Sequence, residues 1–467
     1  MSLLVLELSG QSTWRRTYGG FDTDEARSVR QTADGGFVLL GSTGSFGFGG
    51  GDMYLIKLDA SGLPEWSRTY TDAQVQFGSR IRVLPDGYLM AGTTTGPNGY
   101  DILLLKTDLN GMVQWQKQFG SEDWDLAADM ELGPNNIFIV GTTYGDAGSA
   151  GDIWVICTDL SGDTLWTRTL GTDLEDQGLG AGVSSDGGVL VSGTSFIGPG
   201  DQDGIVAKLS ATGDLEWSRS IGGDSTDLVT DVLEASSGSI VYCGNSRSYA
   251  TVTQVLVGEL SLGGDSVWQY TYGSDGDSET REIVETATGD FGIAMFNSSF
   301  NAGGRDMFLM IMDPVGGFVL GKNYGGAFDE EGFSVDVTPN GGFIVAGTTE
   351  TYGPGSRAMY VVRVHANAET DDDTVFEMFD PLPVPDHPTQ TNVVSFHPNP
   401  TSNTVTVRSE EALRSMSLFD ATGRPVRTAS LNGTTDSIDI DVPAGTYVAN
   451  ITFRNGGFAV QRLIVIP

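Results

Sequence analysis

Apolar residues in this chain fall in short runs, each cut off by a cluster of glycine, aspartate or proline, and the runs repeat. One unit opens on a segment around a tryptophan, Trp14 to Gly20, followed by an acidic bend and a second segment, Asp24 to Val29. A tight Asp34-Gly35-Gly36 turn leads into the apolar run Phe37 to Thr43. A glycine-rich loop then opens the last run, Asp52 to Asp59, and Asp59-Ala60-Ser61-Gly62 turns into the next tryptophan. No segment carries a convincing 3.6-residue period. Short runs rich in β-branched and aromatic residues, separated by Gly/Asp/Pro turn chemistry, predict four strands per unit.

Trp14, Trp66, Trp115, Trp166, Trp217 and Trp268 recur at intervals of 49 to 52 residues, and Leu320 holds the place in a seventh unit. Four strands per unit, repeated seven times, predict an all-β fold: a seven-bladed β-propeller over residues 1–365. A solenoid would need capping units, and neither end reads as one. The opening run Leu3 to Leu8 matches the fourth run of a unit (compare Met359 to Val364), leaving one strand in excess. Eight blades, one of them lost from a truncated chain, is the alternative. One residue at the tryptophan position is expected between each pair of neighbouring blades. Two residues further on stand Arg16, Arg68, Lys117, Arg168, Arg219 and Lys322, and an acid recurs as Asp24, Asp125, Asp176, Asp227 and Glu330. These rings are expected to make blade-to-blade or strand-to-turn ion pairs; a carboxylate-lined channel for cations is the other reading.

The 467 residues suit one large repeat domain and a smaller one. With 25 Lys+Arg against 61 Asp+Glu the net charge is −36, which disfavours nucleic acid and anionic membrane surfaces as partners. No stretch reaches the length of a membrane span, so no membrane insertion is expected. Met1 to Leu8 is too short, and lacks the basic start, of a signal peptide. Cys157 and Cys243 sit in strand positions and read as core filler rather than a disulfide. A monomer is expected.

Between residues 366 and 390 the pattern stops. Asp371-Asp372-Asp373 and Pro381-Leu382-Pro383-Val384-Pro385 mark an acidic, proline-rich linker. Strands resume over residues 391–467 with Phe396-His397-Pro398-Asn399-Pro400-Thr401, then Met416-Ser417-Leu418-Phe419-Asp420-Ala421-Thr422-Gly423-Arg424. Val442-Pro443-Ala444-Gly445-Thr446-Tyr447 and a closing Gln461-Arg462-Leu463-Ile464-Val465-Ile466 follow. In order and spacing this stretch resembles the type A C-terminal sorting domain of the type IX (Por) secretion system, with Pro398, Asn399, Pro400, Gly423 and Gly445 as its motif residues. The resemblance implies an Ig-like β-sandwich, the type IX machinery as partner, and a protein exported to the outer-membrane cell surface or beyond. Cargo of that system also carries an N-terminal export signal, so the chain is expected to be cut or mis-started at its N-terminus. The repeat itself looks like propeller repeats of many such secreted proteins, and its Asp-x-x-Gly-x-x-x-Trp phrase (Asp59, Gly62, Trp66) resembles the tryptophan-docking repeat of quinoprotein dehydrogenases.

Chemistry is sparse. The only histidines are His365, His387 and His397, all in or near the linker. With two distant cysteines they offer no zinc site, and neither metal nor cofactor is expected. No Gly-x-Ser-x-Gly elbow exists, and the vicinal cysteines of quinoprotein alcohol dehydrogenases are missing. No catalytic residue is assigned. A non-enzymatic surface binding or adhesion module is the preferred reading. A propeller enzyme, either a quinoprotein-like dehydrogenase or a glycan hydrolase or lyase, is the alternative. The long, dissimilar loops share one face of the disc and carry Phe46, Tyr100, Tyr144, Phe196, Tyr249, Phe300 and Tyr352. Aromatic faces beside hydroxyl, amide and acidic groups suit sugar rings, so these are the candidate ligand-binding residues for a glycan or surface protein. The other reading is that they clamp each loop onto the next blade.

Overall fold

Each run of the repeat is a strand. The computed structural model describes residues 12–47, 51–70, 75–96, 98–145, 150–198, 201–299, 304–379, 394–399, 401–409, 411–419, 425–454 and 458–466. The run Leu3 to Leu8 and residues Phe300, His387, Pro400 and Gly423 lie outside them. Two compact units divide the chain, residues 1–383 and 384–467.

In the first unit six blades are antiparallel sheets whose strands follow chain order, as in Asp24–Gln31, Phe37–Thr43, Asp52–Leu58 and Pro64–Tyr70 for blade one. The first strands of neighbouring blades pack on one another all the way round, and that of blade seven packs against that of blade one. The ring is a closed seven-bladed propeller. Blade seven is assembled from both ends of the unit. Glu330–Val337, Phe343–Thr349 and Ala358–Val364 are completed by Trp14–Gly19, which pairs antiparallel with Ala358–Val364. The tryptophan strand is therefore the fourth strand of a blade, so a unit cut at Trp straddles two blades.

A fifth strand, Val375–Phe379, pairs parallel with Trp14–Gly19. Around this clasp Thr13 donates to Asp371 at 3.0 Å and Arg15 pairs with Asp373. Residues 366–379, which the composition assigns to a linker, are thus folded onto blade seven. Proline and charge mark where a pattern ends, but backbone pairing with a strand more than 350 residues away leaves no local signature.

Each tryptophan-position strand leans on the next blade's tight turn, Asp-x-x-Gly in most blades and Ser-x-x-Gly at Ser210 and Ser261. Trp66, Trp115 and Trp166 lie over Gly111, Gly162 and Gly213, where an added Cβ would come within 3 Å of the indole. Tyr18 and Tyr70 donate to the carbonyls of Gly62 and Gly111 at 2.8 and 2.9 Å. Apart from buried Trp14, these tryptophans are half-buried.

The two charged rings do not pair with each other. The bases reach the neighbouring turn: Arg16, Arg68 and Arg219 donate to carbonyls of Ser61, Asn110 and Gly264, and Lys117 and Lys322 pair with Asp163 and Glu369. The acids are fully buried and accept backbone N–H groups of the bend just before them, Asp24 from Gly20, Asp176 from Thr172 and Glu330 from Gly326. A buried carboxylate needs such donors. Even so, burial leaves the Asp24 carboxyl above its ordinary pKa. Cys157 and Cys243 are free thiols buried in blades three and five.

The second unit packs a three-stranded sheet (Ser395–His397, Thr404–Arg408, Thr435–Asp439) with a four-stranded one (Leu413–Phe419, Pro425–Ser430, Gly445–Phe453, Phe458–Val465). Its own core includes Val405, Leu418, Ile451, Phe453 and Leu463.

Candidate functional site

The seven inner strands share one irregularity. Pairing with the second strand slips by a residue between Ala26 and Ser28, and at the matching place in every blade. The extra residues are Arg27, Ser79, Ala128, Leu179, Thr230, Arg281 and Phe333. A bulge bends the strand and re-aims its side chain, and all seven line an axial funnel of about 1130 Å³. Asp22, Thr23, Gly44 and Gly51 stand in the same wall, so the funnel opens on the face that carries the long loops.

The residue after each bulge builds the floor. Ser334 accepts the Val29 N–H at 3.0 Å, Ser28 that of Ile81 at 3.3 Å, and Asp129 that of Ala181 at 3.0 Å. Asp231 accepts from Ile283 and Glu282 from Val335, both at 2.9 Å. Each link joins one blade to the next. Arg80 occupies this layer in blade two and reaches Asp129 at 2.7 Å and Glu282 at 3.4 Å. One layer lower, Arg30 pairs with Glu282 and Arg82 with Glu131. All these side chains except Glu131 are largely buried.

Electrostatics sort the acids. Burial works against charge on Glu282, but Arg30 and Arg80 outweigh it and hold the pKa at about 2. Burial, with the Asp129 charge beside it, pushes Asp231 well up, and burial also raises Asp336. Arg30, Arg80 and Arg82 thus face Asp129, Glu131 and Glu282 while two further acids shift toward the neutral form. Below this plug a smaller cavity of about 370 Å³, lined by Arg30, Arg82, Glu131 and Asp336, opens toward the short turns.

The funnel wall has two halves. Blades six, seven and one contribute Arg281, Phe333 and Arg27. Arg27 stacks 4.1 Å over Phe333 and pairs with Glu25, which also takes Arg357 at 3.0 Å. Arg281 pairs with Glu279 at 3.2 Å. Blades two to five contribute Phe77, Ser79, Leu126, Ala128, Gln177, Leu179 and Thr230, and the charged residue they add is Arg80, held in the floor by Asp129.

Of the loop aromatics, Tyr100 lines this neutral half. Phe46 packs against Tyr54, and Tyr352 packs on Tyr360 while donating to the Gly325 carbonyl at 3.0 Å. Tyr144 donates to Glu175 and Tyr249 to the Gly222 carbonyl. Phe196 is half-buried outside the funnel wall, and Phe300 lies outside the described residues. Two aromatics that are not among the seven candidates stand beside Tyr100. Phe77 and Trp124 lie 6.4 and 5.3 Å from it, ring to ring, and are 39 % and 49 % exposed. Trp124 carried a signal: it is one of the two tryptophans outside the repeat position. Bulges leave no comparable mark.

In the second unit the described motif residues Asn399 and Gly445 meet the Phe458–Val465 strand. Asn399 accepts the Ile464 N–H at 2.9 Å, and Thr401 exchanges backbone hydrogen bonds with Ile464 and Ile466. Gly445 pairs with Val465 on the same strand. Pro398 follows a cis peptide bond; Pro400 and Gly423 fall outside the described residues.

Residues 395–466 match the family described as the secretion system C-terminal sorting domain. No curated protein matches the chain. Among solved structures it is similar to the β-propeller domain of the Trilobed protease from Pyrococcus furiosus, at 10% identity over 76% of this chain and 96% of that one, TM-score 0.44. It is also similar to the Neurospora crassa Pan2 WD40 domain (11%, 74% and 91%, TM-score 0.45) and to a protein of unknown function from Bacteroides caccae (12%, 62% and 93%, TM-score 0.41). The seven sheets themselves, rather than these similarities, establish the propeller. The sorting domain marks a protein secreted by the type IX route, to the cell surface or the medium. Among the described residues no helix is long and apolar enough to cross a membrane.

Proposed function

We propose that this is a secreted, surface-displayed, non-enzymatic binding propeller that takes its ligand at the axial funnel on the loop face. The observation that carries the reading is the closed end. A through-channel would conduct or hold ions along the axis, whereas a wide mouth over a salt-bridged, hydrogen-bonded floor makes a concave site of the size that holds small ligands or the end of a polymer. The floor is tied to the backbone of the blades around it, so the site is pre-formed and binding costs little ordering. A carbohydrate on a neighbouring surface fits the neutral half of the wall; a surface protein is the other class.

The test is an array of glycans and bacterial surface proteins probed with the full chain and with Ala128→Trp, which fills the funnel from a bulge position. Hits lost in the variant, at an unchanged thermal midpoint, support the reading. Hits kept by the filled funnel reject it.

A further inference from the structure

We infer that Phe77, Tyr100 and Trp124 form a stacking platform for a neutral saccharide at the rim of the funnel; the inference rests on the funnel being the binding site. The three rings come from the first and third strands of blade two and from the bend entering blade three, yet they are contiguous: Phe77 to Tyr100 is 6.4 Å, and Trp124 stands edge-on to Tyr100 at 5.3 Å and 85°. Phe77 and Trp124 are 39 % and 49 % exposed, while Tyr100 is half-buried between them and reaches the funnel wall.

The backbone beneath is cut away to seat them. A Cβ on Gly99 would come within 2.2 Å of Trp124 Cδ1, and one on Gly51 within 2.9 Å of Phe77 Cε1. Exposed aromatics that lie over glycine keep broad faces open at little entropic cost, which is how aromatic side chains serve recognition.

Charge decides the occupant. The platform borders the half of the funnel whose charged lining residue, Arg80, is paired with Asp129 and Glu282 in the floor, and where Ser79, Thr93 and Gln177 bring hydroxyl and amide groups alongside. Exposed Glu122 and Asp123 flank Trp124, and the whole chain carries −36. Uronic, sulfated and phosphorylated polymers are repelled from such a field. Neutral sugar rings meet no such penalty: their C–H faces stack on the rings while their hydroxyls bond to the polar groups and carboxylates alongside.

The experiment is isothermal titration of the full chain with cellohexaose, laminarihexaose, xylohexaose, mannohexaose, maltohexaose and chitohexaose, with heparin and a leucine-rich peptide as contrasts. At least one hexaose should bind and heparin should not. Trp124→Ala and Phe77→Ala should each weaken that binding at least tenfold with the thermal midpoint unchanged, and Trp124→Phe should restore most of it. The platform is overturned if no hexaose binds, if heparin or the peptide binds in preference, or if both alanine variants bind as the parent does. Should binding survive both alanine variants but vanish in Ala128→Trp, the platform falls and the funnel stands. Should it survive all three, both fall.

Discussion

Tyr324 donates to the carbonyl oxygen of Ala368 at 2.6 Å, and Ala368 sits at φ 59°, the one non-glycine residue at positive φ among those described. The same turn in the other six blades places Gly62, Gly111, Gly162, Gly213, Gly264 and Gly316 there, at φ between 76° and 83°. His365 to Glu369 is therefore the seventh copy of the Asp-x-x-Gly turn, closed by the same backbone bonds.

A left-handed L-residue costs about 1–2 kcal/mol, and glycine returns part of that as lost chain entropy. Ala368→Gly should raise stability by about 0.5–1 kcal/mol. Gly111→Ala, whose Cβ would meet Trp66 and Arg68 at 2.9 Å, should lower it by about 1–3 kcal/mol. Urea midpoints of the two variants check this; a destabilised Ala368→Gly contradicts it.

The tryptophans should differ in worth according to what covers them. Trp14 is 4 % exposed, packed edge-on to Phe37, and Trp14→Ala should cost about 3–5 kcal/mol. Half-buried Trp166 lies at an uncovered edge, so Trp166→Ala should cost about 2 kcal/mol. Equal losses would show that the fifth strand adds nothing to blade seven.

The plug should make stability depend on pH through two opposed terms. Glu282 is held at about 2, below its ordinary 4.5, so its contribution is complete above that ordinary value and is lost as pH falls toward 2. Asp231 has its pKa raised, so its cost is absent below the ordinary 3.8 and grows as pH climbs toward the raised value. Thermal midpoints across pH should show Glu282→Gln flattening the acid limb, with a loss of about 3–5 kcal/mol near neutrality from the uncompensated arginines. Asp231→Asn should remove the cost that grows above pH 3.8. An unchanged pH profile in both variants would contradict the assignment.

Removing residues 384–467 should leave the propeller's thermal midpoint unchanged while the protein accumulates in the periplasm of a type IX-secreting host. Ending the chain after His365 should instead lower that midpoint, because Asp371, Asp373 and Val375–Phe379 are stripped from Trp14–Gly19. Immunoblots of cell fractions and melting curves of the two truncations decide it.

The strands, their number per repeat and the export tail were legible in the chain because each is local. A short apolar run bounded by a glycine-rich loop and a turn makes Asp52 to Leu58 a strand whatever surrounds it, Asp59 to Gly62 carries its own turn chemistry, and the sorting motif lies within one short stretch. The frame of the repeat was not legible. A cyclic order of four strands reads the same from any starting point, and only pairing decided that Trp14–Gly19 closes blade seven with Ala358–Val364. The site was less legible still. Arg30 meets Glu282 across 252 residues, and Tyr100 meets Trp124 only because two blades curve together. A bulge that turns Arg27 or Ala128 into the funnel depends on the register of a neighbouring strand, not on the bulged residue. Sequence pattern reports what each segment does by itself; closing the ring brings the first and last blades together and sets what they share.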